Sequence, residues 1–202
     1  MMKIDLHNHS FTHESSSEPQ DTIEAAIGAG LDGIAFTEHN SYSASDMAEE
    51  LKERFEGRIR IFRGAEYDAA EGHVLIFGIT DDSFMGLGMY APVSELIKYV
   101  TPKGAAVIAA HPFRGWGLFK ADLASVHGLC AVEAFNGHNT PEENEKAMVV
   151  AASIGIPATG GSDSHGKEDV GRCYTEFQDE VTYENFVSLL RGGRYRGVCG
   201  RP

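Results

Sequence analysis

Cysteine is scarce in this 202-residue chain, and its three copies, Cys130, Cys173 and Cys199, form no CxxC pair. An odd count without paired spacing argues against a disulfide framework and fits free thiols in a reducing cytoplasm. Positive charge is also short, with 17 Lys and Arg against 30 Asp and Glu for a formal net charge of -13. A protein that grips a nucleic-acid polymer along a broad basic face needs the opposite balance. Phosphorylated small molecules stay open as substrates, because bound divalent cations reverse the local sign of charge. No run approaches the length of a membrane span, and Met1-Met2-Lys3-Ile4-Asp5 puts an acid where a signal peptide has its apolar core. There is no low-complexity block and no repeat of fixed length. Hydrophobic content of 42% and charged content of 23% are ordinary, and the length suits one domain over residues 1–202.

What is present is an alternation of short apolar runs and helical patterns. Strands are expected at residues 3–6, 33–37, 58–65, 73–79, 105–110, 131–134 and 156–160, with a short tail strand at the end. Helices are expected at 19–31, 45–56, 92–100, 142–154 and 182–191, the first with Pro19 in its opening turn and Gly30 near its end. Such alternation implies a mainly parallel sheet, and this many units favour closure into a barrel. Reactive groups in such barrels lie at the carboxyl ends of strands, where His7, His39, Glu66, His111 and Asp163 all fall.

Those positions are occupied by metal-ligand chemistry. His7-Asn8-His9 sets two imidazoles on one side of an extended segment, because side-chain direction has a period of two. Asp5 is placed to orient one of them. Thr37-Glu38-His39-Asn40 follows the second strand, and Glu66 closes the third as a carboxylate able to bridge two cations. His73 leads the fourth strand, and His111-Pro112 ends a strand buried on both faces. Asp163-Ser164-His165 repeats the same-side geometry between Gly161 and Gly166, which allow close backbone approach to a ligand. Any one of these is a modest signal. Together they describe a multinuclear site of His, Asp and Glu donors without Cys, which suits Zn, Mn or Fe alike.

DLHNHS, TEHN, Glu66, AAHPFR and GSDSHG, taken in this order over nearly the whole chain, resemble the PHP family, named for polymerase and histidinol phosphatase. The resemblance implies an α/β fold, a distorted (β/α)7 TIM-like barrel of PHP type, with three divalent ions and phosphoesterase chemistry. It implies His7, His9, Glu66 and Asp163 as ligands of one ion and Glu66, His73 and His111 as ligands of a second. His39 and His165 belong to a third, whose further ligand is Glu14, with His13 as the alternative. Arg114 resembles a phosphate-binding arginine, and Asn136 and His138 are expected to line the substrate pocket; His127 reads as structural.

The expected activity is hydrolysis of a small phosphomonoester, such as a nucleotide or histidinol phosphate, by a metal-activated water, with Glu66, His39 and Asp163 in the catalytic machinery. Two other readings compete. A 3′-5′ exonuclease, or an oligonucleotide-trimming phosphodiesterase, would release mononucleotides from single-stranded DNA in a salt-sensitive way. A non-catalytic barrel that binds metal or a phosphorylated ligand would take up metal yet be inert on a broad phosphoester panel. The segment between residues 79 and 105 has room only for a loop and a helix, so no inserted lid domain is expected and the pocket should be open.

Overall fold

A computed structural model describes residues 1–115 and 119–200. Among these residues nine strands form one sheet: β1 (Met2–Asp5), β2 (Gly33–Phe36), β3 (Arg60–Asp68), β4 (His73–Phe77), β5 (Ala106–Ala109), β6 (Ala131–Asn136), β7 (Ala158–Gly161), β8 (Cys173–Phe177) and β9 (Tyr195–Cys199). Their spatial order is β7-β6-β5-β4-β3-β2-β1-β8-β9. Among the described residues five α-helices accompany them: α1 (Pro19–Gly28), α2 (Ala48–Arg54), α3 (Val93–Val100), α4 (Pro141–Ile154) and α5 (Phe186–Gly192).

The sheet is less parallel than alternation suggested. Among the described residues β1–β2, β2–β3, β5–β6 and β6–β7 are parallel, whereas β3–β4, β4–β5, β1–β8 and β8–β9 are antiparallel. The cause is local. Only residues 69–72 separate β3 from β4, too few for a crossover helix, so the chain turns back on itself. Strand β8 has no counterpart among the expected elements.

The curled sheet nearly closes where β7 meets β8 and β9, and glycines make the seam. Thr175 Oγ1 receives the Gly160 N–H at 2.9 Å and donates to the Gly160 carbonyl at 2.9 Å, in place of a backbone ladder. A Cβ on Gly197 would sit 2.5 Å from the Thr159 carbonyl oxygen, so only glycine fits there.

Strand alternation sorts the core. Leu75, Phe77, Ala106, Ile108 and Ala131 pack with Ile4 and Leu6 into one apolar cluster, while Val74, Ile76, Val107, Ala109 and Val132 pack with the helices α3 and α4 in another. Helix α3 presents Val93, Leu96, Ile97 and Val100 to that layer, a helical repeat of buried positions. Helix α4 starts on Thr140 with a capping box to Glu143 and stops at Gly155, whose φ of 74° is left-handed. Glu66 pairs with Leu75 across the β3–β4 ladder, and Glu133 lies two residues beyond Ala131. The period of two therefore carries both carboxylates on the inward face. No helix is long and apolar enough to cross a membrane among the described residues.

Candidate metal centre

One rim of the barrel gathers the donors. His7 follows β1, His39 follows β2, His111 follows β5 and Asp163 follows β7, while Glu66 lies within β3. The reversed direction of β4 explains His73, which begins its strand opposite Asp68 and so reaches the rim from an amino end.

Glu66 is buried and divides its two oxygens between two sets of imidazoles. Oε2 lies 3.1 Å from His7 Nε2, 3.2 Å from His9 Nε2 and 3.4 Å from His39 Nε2. Oε1 lies 2.8 Å from His73 Nδ1 and 3.0 Å from His111 Nε2. Asp163 Oδ1 lies 3.4 Å from His7 Nε2 and 3.3 Å from His9 Nε2. Among the described residues five groups of donors have their ligand atoms within 4.8 Å of one another: His7, His9, Glu66 and Asp163; Glu66, His73 and His111; His9, His39 and His165; His7, His111 and Glu133; and His39, Asp68 and His73.

Electrostatics point the same way. Burial opposes ionisation of Glu66 and Asp163, yet the charge of His7 heads the imidazole contributions that hold both carboxyls well below the usual range. Burial pushes the His9 imidazole down, but the adjacent carboxylates of Asp163 and Glu66 raise it to about 9. Burial and the charge of His9 lower His165. His111 and Asp163 have φ of 28° and 54°, a left-handed backbone that non-glycine residues adopt at a cost, and both stand in this cluster.

The donor set fits divalent metal on an observation independent of family likeness. His9 is fully buried, and neither of its ring nitrogens has a hydrogen-bond partner; His111 Nδ1 is likewise buried without one. Nε2 of His9 sits beside two carboxylates without hydrogen-bonding geometry. Buried polar atoms in that condition are costly unless something coordinates them.

Glu14 and His13 do not join these groups. Both are exposed at the tip of the turn closed by the Ser15 N–H to the Thr12 carbonyl, and His9 stands with His39 and His165 instead. The loop is pegged by the Ser16 N–H to the His165 carbonyl at 2.8 Å. Arg114 is buried, with Nη2 on Asp163 Oδ2 at 2.6 Å and also bonded to Asn136 Oδ1. Asn136 is buried, its amide donating to Glu133 and accepting from the His138 N–H. His138 is partly exposed, 3.5 Å from Asp169 and beside His165.

Two carboxylates escaped sequence reasoning. Glu133 is fully buried and bonds His7 Nδ1 at 2.9 Å. The signal was a lone acid inside the apolar strand Ala131-Val132-Glu133-Ala134. Asp68 reaches His39 Nδ1 at 3.3 Å and His73 Nε2 at 3.5 Å. Its place two residues beyond Glu66, in phase on the same strand face, was the available clue. Asp5 touches no imidazole. It accepts instead from the backbone N–H groups of His7, Ser162 and Gly171, tying the end of β1 to the segment after β7.

Comparison with known proteins agrees with this geometry. The PHP domain family matches residues 5–100 and the PHP-associated family matches residues 141–195. Both matches are to PHP-type families, and together they span most of the chain. An uncharacterised protein of Methanocaldococcus jannaschii is 26% identical over 208 residues, covering 94% of this chain and 79% of that one. A two-domain protein of Bacteroides vulgatus, described as containing a predicted PHP-like metal-dependent phosphoesterase, superposes with a TM-score of 0.78 at 21% identity, over 98% of this chain and 65% of its own. An amidohydrolase of Chromobacterium violaceum gives a TM-score of 0.68 at 16% identity, over 95% and 96% of the two chains. These structural likenesses establish a shared barrel fold.

Proposed function

We propose that this protein is a metal-dependent phosphoesterase acting on a small phosphomonoester at a centre of three divalent ions. The observation that carries the reading is Glu66, one buried carboxylate whose two oxygens face separate sets of imidazoles. His7, His9, Glu66 and Asp163 would hold one ion; Glu66, His73 and His111 a second; His39 and His165, with His9 beside them, a third. Divalent ions held in such a cluster supply Lewis acidity, lowering the pKa of water and neutralising charge on phosphoryl oxygens.

The chain's own groups do the rest. Glu66 and Asp163, both buried at the rim, supply negative charge that would gather cations there. Arg114 lies against Asp163, so its guanidinium is fixed beside the place where a phosphoryl group would sit, with N–H donors suited to phosphate oxygens. Asn136 orients that guanidinium from below, and Asn139 Oδ1 accepts from Arg114 Nε at 3.2 Å. His39 and His138 are both partly exposed, which suits contact with an incoming substrate. The acidic balance of the chain favours a small substrate over a long polyanion.

A phosphoester panel tests the reading. Protein loaded with Mn, Zn or Fe is expected to release inorganic phosphate from monoesters, and a chelator should abolish the release. Turnover confined to diesters, with mononucleotides freed from single-stranded DNA, would move the assignment to a nuclease. Metal-loaded protein inert on the whole panel would leave a binding barrel.

A further inference from the structure

We propose that Glu133 is a positioning residue of the metal centre: it fixes the His7 ring with its proton on Nδ1, and it pins the backbone of His111. The inference rests on the metal-centre reading above but concerns a residue outside the ligand sets assigned there.

Glu133 sits in β6 with no solvent exposure. Its Oε1 takes His7 Nδ1 at 2.9 Å. Its Oε2 accepts the His111 backbone N–H at 3.0 Å and the Asn136 Nδ2 at 2.9 Å. Three partners from three places in the chain thus meet on one carboxylate. An imidazole that donates through one nitrogen presents a lone pair at the other. For His7 that other nitrogen is Nε2, which faces Glu66 Oε2 and Asp163 Oδ1. A carboxylate behind a histidine sets the tautomer and ring angle of a ligand in this way.

His111 needs the second half of the grip. Its φ of 28° is unfavourable for a side chain with a Cβ, and the bond from its N–H to Glu133 helps to hold that turn. The turn in turn aims Nε2 at Glu66 Oε1, 3.0 Å away. The neighbouring strand is cut to fit the same contact. A Cβ on Gly161 would lie 2.5 Å from the His7 Cβ and 2.7 Å from Glu133 Oε1, so any larger residue would force the pair apart.

Glu133, His7 and His111 also form a group close enough to hold an ion by themselves. Two features speak against that role. Oε1 is already at hydrogen-bond distance from His7 Nδ1, and Oε2 already accepts from two N–H groups.

The test uses zinc and the whole chain. Nitrogen NMR of labelled imidazoles in the zinc-loaded wild type should show His7 protonated on Nδ1 and ligating through Nε2. Glu133→Gln offers one oxygen and one NH2 to three donors. Turned toward His7, the NH2 drives the ring proton onto Nε2; turned the other way, it faces the His111 N–H and the Asn136 amide. Zinc affinity, read by competition with a chromophoric chelator, is expected to fall roughly 10- to 100-fold. Glu133→Asp, which keeps the charge on a shorter arm, should recover part of the loss.

A wild-type His7 that binds zinc through Nδ1 would overturn the proposal without recourse to any variant. So would a folded Glu133→Gln protein with wild-type zinc affinity. Wild type that takes up no zinc overturns the metal reading and this inference with it. Zinc-bound wild type that is inert on phosphoesters sinks only the activity, because ring tautomer and zinc affinity are measured without substrate.

Discussion

Replacing Glu66 by Gln keeps the shape of the side chain and removes its charge, which makes it the sharpest perturbation of this centre. Oε2 contacts three imidazoles and Oε1 two, so the change acts on both sides at once. A hydrogen bond or ligand contact that loses its charge forfeits about 1.5–3 kcal/mol. At about 1.4 kcal/mol per factor of ten, each of the two ion positions sharing Glu66 should weaken roughly 10- to 150-fold. Turnover that needs both ions should then fall roughly 100- to 10,000-fold in kcat/KM at fixed, limiting metal. The assay pairs metal content after dialysis with phosphate release across a metal titration. Excess metal should restore part of the rate, since binding rather than folding is damaged. Asp68→Asn is the comparison: Asp68 reaches His39 and His73, besides accepting from Asn40, and its loss should cost roughly tenfold. If Glu66→Gln retained both ions after dialysis and lost less than about threefold in rate, Glu66 would not be the shared ligand.

Arg114→Ala should raise KM for phosphomonoesters about tenfold or more while metal content holds, since a charge-assisted contact to phosphate is lost; loss of metal instead would assign the arginine to the support of Asp163. The three thiols should separate by environment. Cys173 and Cys199 are cross-strand partners with sulfurs 3.1 Å apart, so mild treatment with a disulfide oxidant is expected to link them with loss of two hydrogens, read by mass spectrometry of peptides. Burial pushes the Cys130 thiol up to about 12, so it should resist alkylation in folded protein near neutral pH; rapid labelling of Cys130, or oxidation that leaves Cys173 and Cys199 free, would contradict the arrangement.

The donor cluster was legible because metal chemistry restricts residue type and because strand ends deliver side chains to one rim. His7, His9, Glu66, His73, His111 and Asp163 could all be named from short local patterns. Strand direction was not, since a periodic apolar run looks the same whichever way it lies in a sheet; β4 is antiparallel because of a four-residue connection, a matter of reach. Strand β8 was hidden because Cys173-Tyr174-Thr175-Glu176-Phe177 has polar residues that are buried at the seam, where Thr175 replaces a ladder with its hydroxyl. Glu14, expected from the family resemblance, stands exposed outside the donor groups, on a turn whose course a local pattern does not carry. Glu133 stayed unseen for a related reason: its value lies in partners far away in sequence, which no local window contains.

The short connection between β3 and β4 has a bearing on the order of assembly. Glu66, Asp68 and His73 ride on one hairpin, a local structure that closes within microseconds, whereas His7 and Asp163 meet only after the two ends of the chain dock. An ion arriving during folding therefore encounters the hairpin's donors first, and the remaining strands assemble around a seed already carrying charge.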